Sequence, residues 1–71
     1  MVGIFKYECG LKFLASASSK KKAYQILFDT FADEQSKQRY SSAKDWYTKL
    51  YSENRGAPRC YEIMKIKHNT L

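Results

Sequence analysis

Apolar and polar positions alternate at the start of the chain. Phe5, Tyr7, Cys9, Leu11, Phe13, Ala15 and Ala17 fall on one parity, and Lys6, Glu8, Lys12 and Ser16 on the other. Successive strand side chains point to opposite faces, so a period of two over residues 3–17 predicts β structure with one buried face. Gly10 divides the stretch. Either one long strand bends there at a bulge, or two strands meet in a tight hairpin around Cys9-Gly10-Leu11. A three-residue loop keeps Phe5, Tyr7, Phe13 and Ala15 on a shared face, which favours the hairpin.

The period then turns helical. From Lys20 to Glu34, Ala23, Leu27 and Phe31 recur every fourth position, and Tyr24, Ile26 and Phe28 widen the stripe. Lys21, Lys22, Gln25, Asp29 and Asp33 lie opposite. This predicts an amphipathic helix packed on the sheet, with Ser18 or Ser19 accepting a first-turn N–H as its N-cap. Residues 35–41 carry no apolar rhythm and read as a loop with at most a frayed helical turn.

A second helix is expected over residues 42–54. Ala43, Trp46, Tyr47, Leu50 and Tyr51 form its apolar stripe, with Lys44, Asp45, Thr48, Lys49 and Ser52 on the wet face. Ser42 followed by Asp45 resembles a capping box. Gly56 is suited to a left-handed cap and Pro58 cannot continue a helix, so the stop falls there. Arg59 to Lys67 reads as a last strand, with Cys60, Met64 and Ile66 on one side and Arg59, Lys65 and Lys67 on the other. Residues 68–71 read as a loose tail.

The order is therefore ββααβ, or βααβ with a bent first strand. It predicts a single α+β domain over residues 1–71, with two amphipathic helices on one face of a small antiparallel sheet. Length limits the rest. A chain of 71 residues buries only about 60% of its unfolded surface, which leaves no room for a spacious interdomain cleft. Aromatic residues at 15% and hydrophobic ones at 44% supply a core and argue against disorder. No apolar run exceeds three residues, as in Ile26-Leu27-Phe28. Neither a membrane span nor a signal peptide is expected, and a cytoplasmic location follows as the default.

Few groups carry reactive chemistry. Cys9 and Cys60 belong to no CxxC pair, and His68 is the one histidine, so neither a metal nor another cofactor is expected, and both thiols read as reduced. Asp29, Asp33 and Glu34 lie close in sequence but on a polar helix face. Gly3, Gly10 and Gly56 are too scattered for a phosphate loop. A catalytic role is not expected.

Charge changes the picture more. Thirteen Lys and Arg oppose seven Asp and Glu, for a net charge of +6. Residues 1–28 carry five lysines against one glutamate and residues 55–71 four cations against one glutamate, whereas residues 29–54 are nearly balanced. Pairing the first and last strands would gather a basic sheet side opposite a near-neutral helical side. Lys20, Lys21 and Lys22 fill the first turn of a helix, where the macrodipole favours acids. Together with free backbone N–H groups and the Ser18 and Ser19 hydroxyls, they have the ingredients of an anion site.

Lys6, Lys12, Arg59, Lys65 and Lys67 extend that candidate surface. Tyr40 beside Arg39 is the candidate for stacking on a base. The Trp46 stripe reads as core, or as core extended into a homodimer contact. The RNP, GXXG, zinc-finger and helix-turn-helix signatures are missing. Two expectations remain. One is a non-enzymatic module that binds nucleic acid or another polyanion. The other is an accessory factor or inhibitor, of the type bacteriophages encode against host nucleic-acid or defence machinery, that docks an acidic protein surface.

Overall fold

A computed structural model describes residues 1–66; Lys67, His68 and the expected tail lie outside the described residues. In chain order the elements are β1 (Val2–Tyr7), β2 (Leu11–Ala17), α1 (Lys20–Phe31), α2 (Glu34–Arg39), α3 (Ala43–Ser52), a 3-10 turn (Ala57–Cys60) and β3 (Tyr61–Lys65). The strands form one antiparallel sheet in the order β2-β1-β3. The helices pack against it, which makes a small α+β domain. No described helix is long and apolar enough to cross a membrane.

The hairpin forms as expected. Tyr7 and Leu11 are the last paired residues, and the loop between them turns through Cys9 at φ 54° and Gly10 at φ 110°. The buried face is another matter. The register passes from Ile4↔Ala15 to Phe5↔Phe13, which leaves Leu14 as the extra residue of a bulge. Val2, Ile4, Ala15, Ala17, Tyr61 and Ile63 therefore share the helix-bearing side and belong to, or pack against, the core.

Phe5, Tyr7, Leu11 and Phe13 fall on the opposite, open face. The expectation that Phe5, Tyr7, Phe13 and Ala15 share a buried face is thus corrected. Alternation shows the period, but the inserted Leu14 switches parity within β2. On the open face the Phe5 ring lies over Gly3, where an added Cβ would come within 2.8 Å of it.

Side chains set the helix boundaries. Ser19 Oγ accepts the Lys22 N–H at 3.3 Å and caps α1. α1 stops at Phe31 because Asp33 leaves the helix and caps α2, its Oδ1 accepting the Ser36 N–H at 2.8 Å. The stretch expected as loop thus contains a short helix held by its cap, with no buried residue to mark it. Ser42 Oγ caps α3 by accepting the Asp45 N–H at 3.1 Å.

At the far end of α3, Asn54 takes the left-handed position at φ 53°, and the Arg55 N–H donates to the Leu50 carbonyl at 3.1 Å. That is a Schellman closure on Asn54. Gly56 has positive φ, at 70°, but it opens the 3-10 turn and does not cap α3. The turn also removes Arg59 and Cys60 from the strand, so Tyr61 and Ile63 face inward. The expected grouping of Cys60 with Met64 and Ile66 is corrected accordingly.

Trp46, Ile4, Leu27 and Pro58 are the largest fully buried side chains. Trp46 meets Phe28 edge-on, with ring centroids 5.4 Å apart. Tyr47 donates its hydroxyl hydrogen to the Tyr61 carbonyl at 2.9 Å, which ties α3 to β3. Trp46 and Tyr47 are thus spent inside the chain and are not available as a homodimer contact.

Candidate functional site

α1 and α3 lie side by side, and the Tyr24 and Tyr47 rings pack 4.9 Å apart between them. Both helices begin at this junction. A groove of about 630 Å³ opens there, lined by Lys20, Lys21, Tyr24 and Gln25 of α1, by Ala43 and Lys44 of α3, and by Ser41 and Ser42 before α3. Three lysines line it and no acidic residue does, although the Asp45 and Asp29 carboxylates are bonded to the lining Ser41 and Gln25. Two helix N-termini add their partial positive charge from the same side.

The serine and amide groups are partly committed. Ser42 Oγ accepts from the α3 backbone, which leaves its own O–H free to donate. Ser41 donates to the Asp45 carboxylate at 2.7 Å, and Gln25 donates one amide hydrogen to Asp29 at 2.8 Å. The groove can therefore offer several donors and three cations to an anion.

The candidate residues do not form one surface. Lys20 and Lys21 line the groove. Lys22 is exposed but is not among the lining residues; it lies two helix steps from Lys20, near the far side of α1. Ser19 is the cap and Ser18 is exposed just before it. Lys44, expected on a remote wet face, joins Lys20 and Lys21. A sequence signal for this existed: Ser18-Ser19-Lys20 and Ser41-Ser42-Ala43-Lys44 are two serine-capped, lysine-bearing helix starts.

Arg39 and Tyr40 line a second, shallower depression of about 490 Å³ with Asp45, Thr48, Lys49 and Ser52. The Arg39 guanidinium lies 5.9 Å from the centroid of the Tyr40 ring, and Tyr40 is half-buried against the core. Lys49 pairs with Glu53 at 3.1 Å, and Arg55 reaches the same carboxylate at 2.7 Å. The Lys49 hydrogen bond, followed by that of Arg55, holds the Glu53 carboxyl below its ordinary range. With Asp45 also present, this depression is the less positive of the two.

The remaining cations are dispersed. Lys6 and Lys12 are direct cross-strand partners near the hairpin loop, and Lys6 pairs with Glu8 at 3.5 Å. Lys65 stands opposite Val2 at the other end of β1. Arg59 is exposed on the 3-10 turn. All three strand lysines share the register face of Val2 and Ile4, so the expected basic sheet side is not assembled and the open face is apolar.

Asp29 and Asp33 are likewise apart in function. Asp29 accepts from Gln25 and Asp33 caps α2, and the Ser36 N–H lowers the Asp33 carboxyl from its ordinary value. Cys9, exposed, and Cys60, half-buried, are free thiols.

No family model, curated protein or solved structure matches this chain.

Proposed function

We propose that the protein is a small non-enzymatic module that binds nucleic acid through the groove between the starts of α1 and α3. The observation that carries this reading is the convergence of Lys20, Lys21 and Lys44 on one groove without a lining carboxylate. Phosphate oxygens accept from the three ammoniums and the Ser42 hydroxyl, and both helix dipoles favour the bound charge. Lys6, Lys12, Arg59 and Lys65 lie outside the groove and raise the encounter rate through the net positive field. With three phosphate contacts, log affinity falls against log salt with a slope of roughly −2 to −3.

Gel-shift titrations over random DNA and RNA at graded salt test this. The expected result is linear salt dependence, with Lys20, Lys21 and Lys44 replaced by Gln reducing the slope by about the number of lost contacts. No binding to any nucleic acid at low salt contradicts the reading.

An acidic protein surface is the second reading, since carboxylates suit the same lysines. The division of the cations between two separate depressions favours it, because a nucleic-acid backbone is better served by one continuous strip.

A further inference from the structure

The open face of the sheet is unusually apolar for a surface. Tyr7, Leu11 and Phe13 are 51%, 47% and 59% exposed. Phe5 and Phe13 meet edge-on with centroids 5.5 Å apart, and half-buried Met64 and Ile66 flank them beside Gly3. Aromatic side chains bury 150–250 Å² each, so this patch leaves on the order of 500 Å² of apolar surface open. A lone soluble domain rarely leaves more than that.

Charge restricts what can cover it. The register places Lys6, Lys12 and Lys65 on the helix-bearing side. Among the described strand residues, Glu62 is the one charged position on the open face, and its carboxylate already accepts the Tyr7 and Tyr51 hydroxyls at 2.9 and 2.8 Å. Two copies of a chain with net charge +6 repel over most approaches. On this face they meet without opposing ammoniums. The area also suits a second copy: at ~500 Å² per partner a symmetric pair buries about 1,000 Å² in total, the lower bound for a specific interface.

We infer that the protein pairs with a second copy of itself, open sheet face against open sheet face, about a twofold axis. Two sheets packed in this way stand about 10 Å apart with interdigitating side chains, and the same patch serves both partners. Phe5, Phe13, Leu11 and Tyr7 form the centre. The helices form the two outer layers, so both basic grooves stay open to solvent. Because the remaining surface repels, pairing tightens as salt rises, the opposite of the dependence expected for nucleic acid.

Sedimentation equilibrium of the whole chain at low and high salt tests this, with Phe13→Glu and Ile26→Glu as variants. Phe13 and Ile26 are both exposed in one copy, and circular dichroism confirms that each variant folds. The expected result is a dimer that strengthens with salt. Phe13→Glu weakens it roughly 100-fold or more, since an unpaired charge is buried, and Ile26→Glu on α1 leaves it unchanged. A monomer at every concentration and salt overturns the inference, as does a dimer that Phe13→Glu leaves intact. Hydrogen exchange adds a third outcome. Protection of the outward β2 amides on dimerisation would mean edge-to-edge pairing and would overturn the face-to-face arrangement.

Discussion

The Tyr24 and Tyr47 rings pack 4.9 Å apart, tilted by 39°, and this contact holds the starts of α1 and α3 together. Tyr24 is at once a wall of the basic groove and a neighbour of the core. Tyr47 is buried and fixed by its hydrogen bond to the Tyr61 carbonyl. The groove is therefore set by a packed aromatic pair and not by its own lysines. Charge substitutions there should leave its shape intact.

Tyr47 gives the first prediction. Burial, reinforced by the nearby Glu62 carboxylate, raises its hydroxyl above the ordinary tyrosine value. A group whose folded pKa is raised contributes stability that is complete below the unfolded value, about pH 10. That contribution is lost as pH rises toward the folded value. Urea unfolding should show stability declining above about pH 10, at up to 1.36 kcal/mol per pH unit for this group. Tyr47→Phe should cost about 1–2 kcal/mol at neutral pH, because the Tyr61 carbonyl loses its donor, and should flatten the alkaline decline. Parallel curves for the two proteins would rule out this role.

Gly56 and Asn54 give the second. Gly56 combines φ 70° with ψ −168°, a region occupied almost solely by glycine, and an added Cβ would meet Leu50 at 3.2 Å. Gly56→Ala should destabilise by about 1–3 kcal/mol. Asn54→Gly at the left-handed closure of α3 should be neutral or slightly stabilising. Thermal unfolding of the two variants tests the assignment, and a reversed order would contradict it.

The lysines give the third. The first turn of α1 contains three cations and no acid. Replacing Lys20, Lys21 and Lys22 by Gln should keep stability or raise it by roughly a few tenths of a kcal/mol. Lys21→Gln and Lys44→Gln should each weaken nucleic-acid binding, while Lys22→Gln, with the same change in net charge, should have a much smaller effect. Filter binding at low salt distinguishes them. Equal losses from all three would mean that net charge alone decides binding.

The fold was legible wherever a residue type forces one local geometry. Ser19 and Ser42 cap helices, Gly10 lies in a tight loop, and the apolar stripes of α1 and α3 supply most of the helical core. The misreadings of the sheet share one cause: they depend on what packs across space. Val2 and Ile4, not the larger Phe5 and Tyr7, face the interior because the helices settle on their side of β1. The Leu14 bulge moves Ala15 to that side while Phe13 stays with Phe5.

α2 is not legible in the sequence beyond a frayed turn, because a six-residue helix without a buried face has no period to read. The site was half legible. Lys20 and Lys21 stand out as a run at a helix start, but Lys44 joins them only through the α1–α3 contact. The basic sheet side failed because strand parity put the lysines and the exposed aromatics on opposite faces.

The proposed function places anion binding at the junction of two helix starts. Amide chemical-shift mapping during titration with a short oligonucleotide at low salt tests it most directly. Early, saturable shifts are expected at Lys20, Lys21, Gln25 and residues 41–44, with little change at Lys6, Lys12 and Lys65. Shifts centred on the hairpin lysines, or spread evenly over every basic residue, would contradict it.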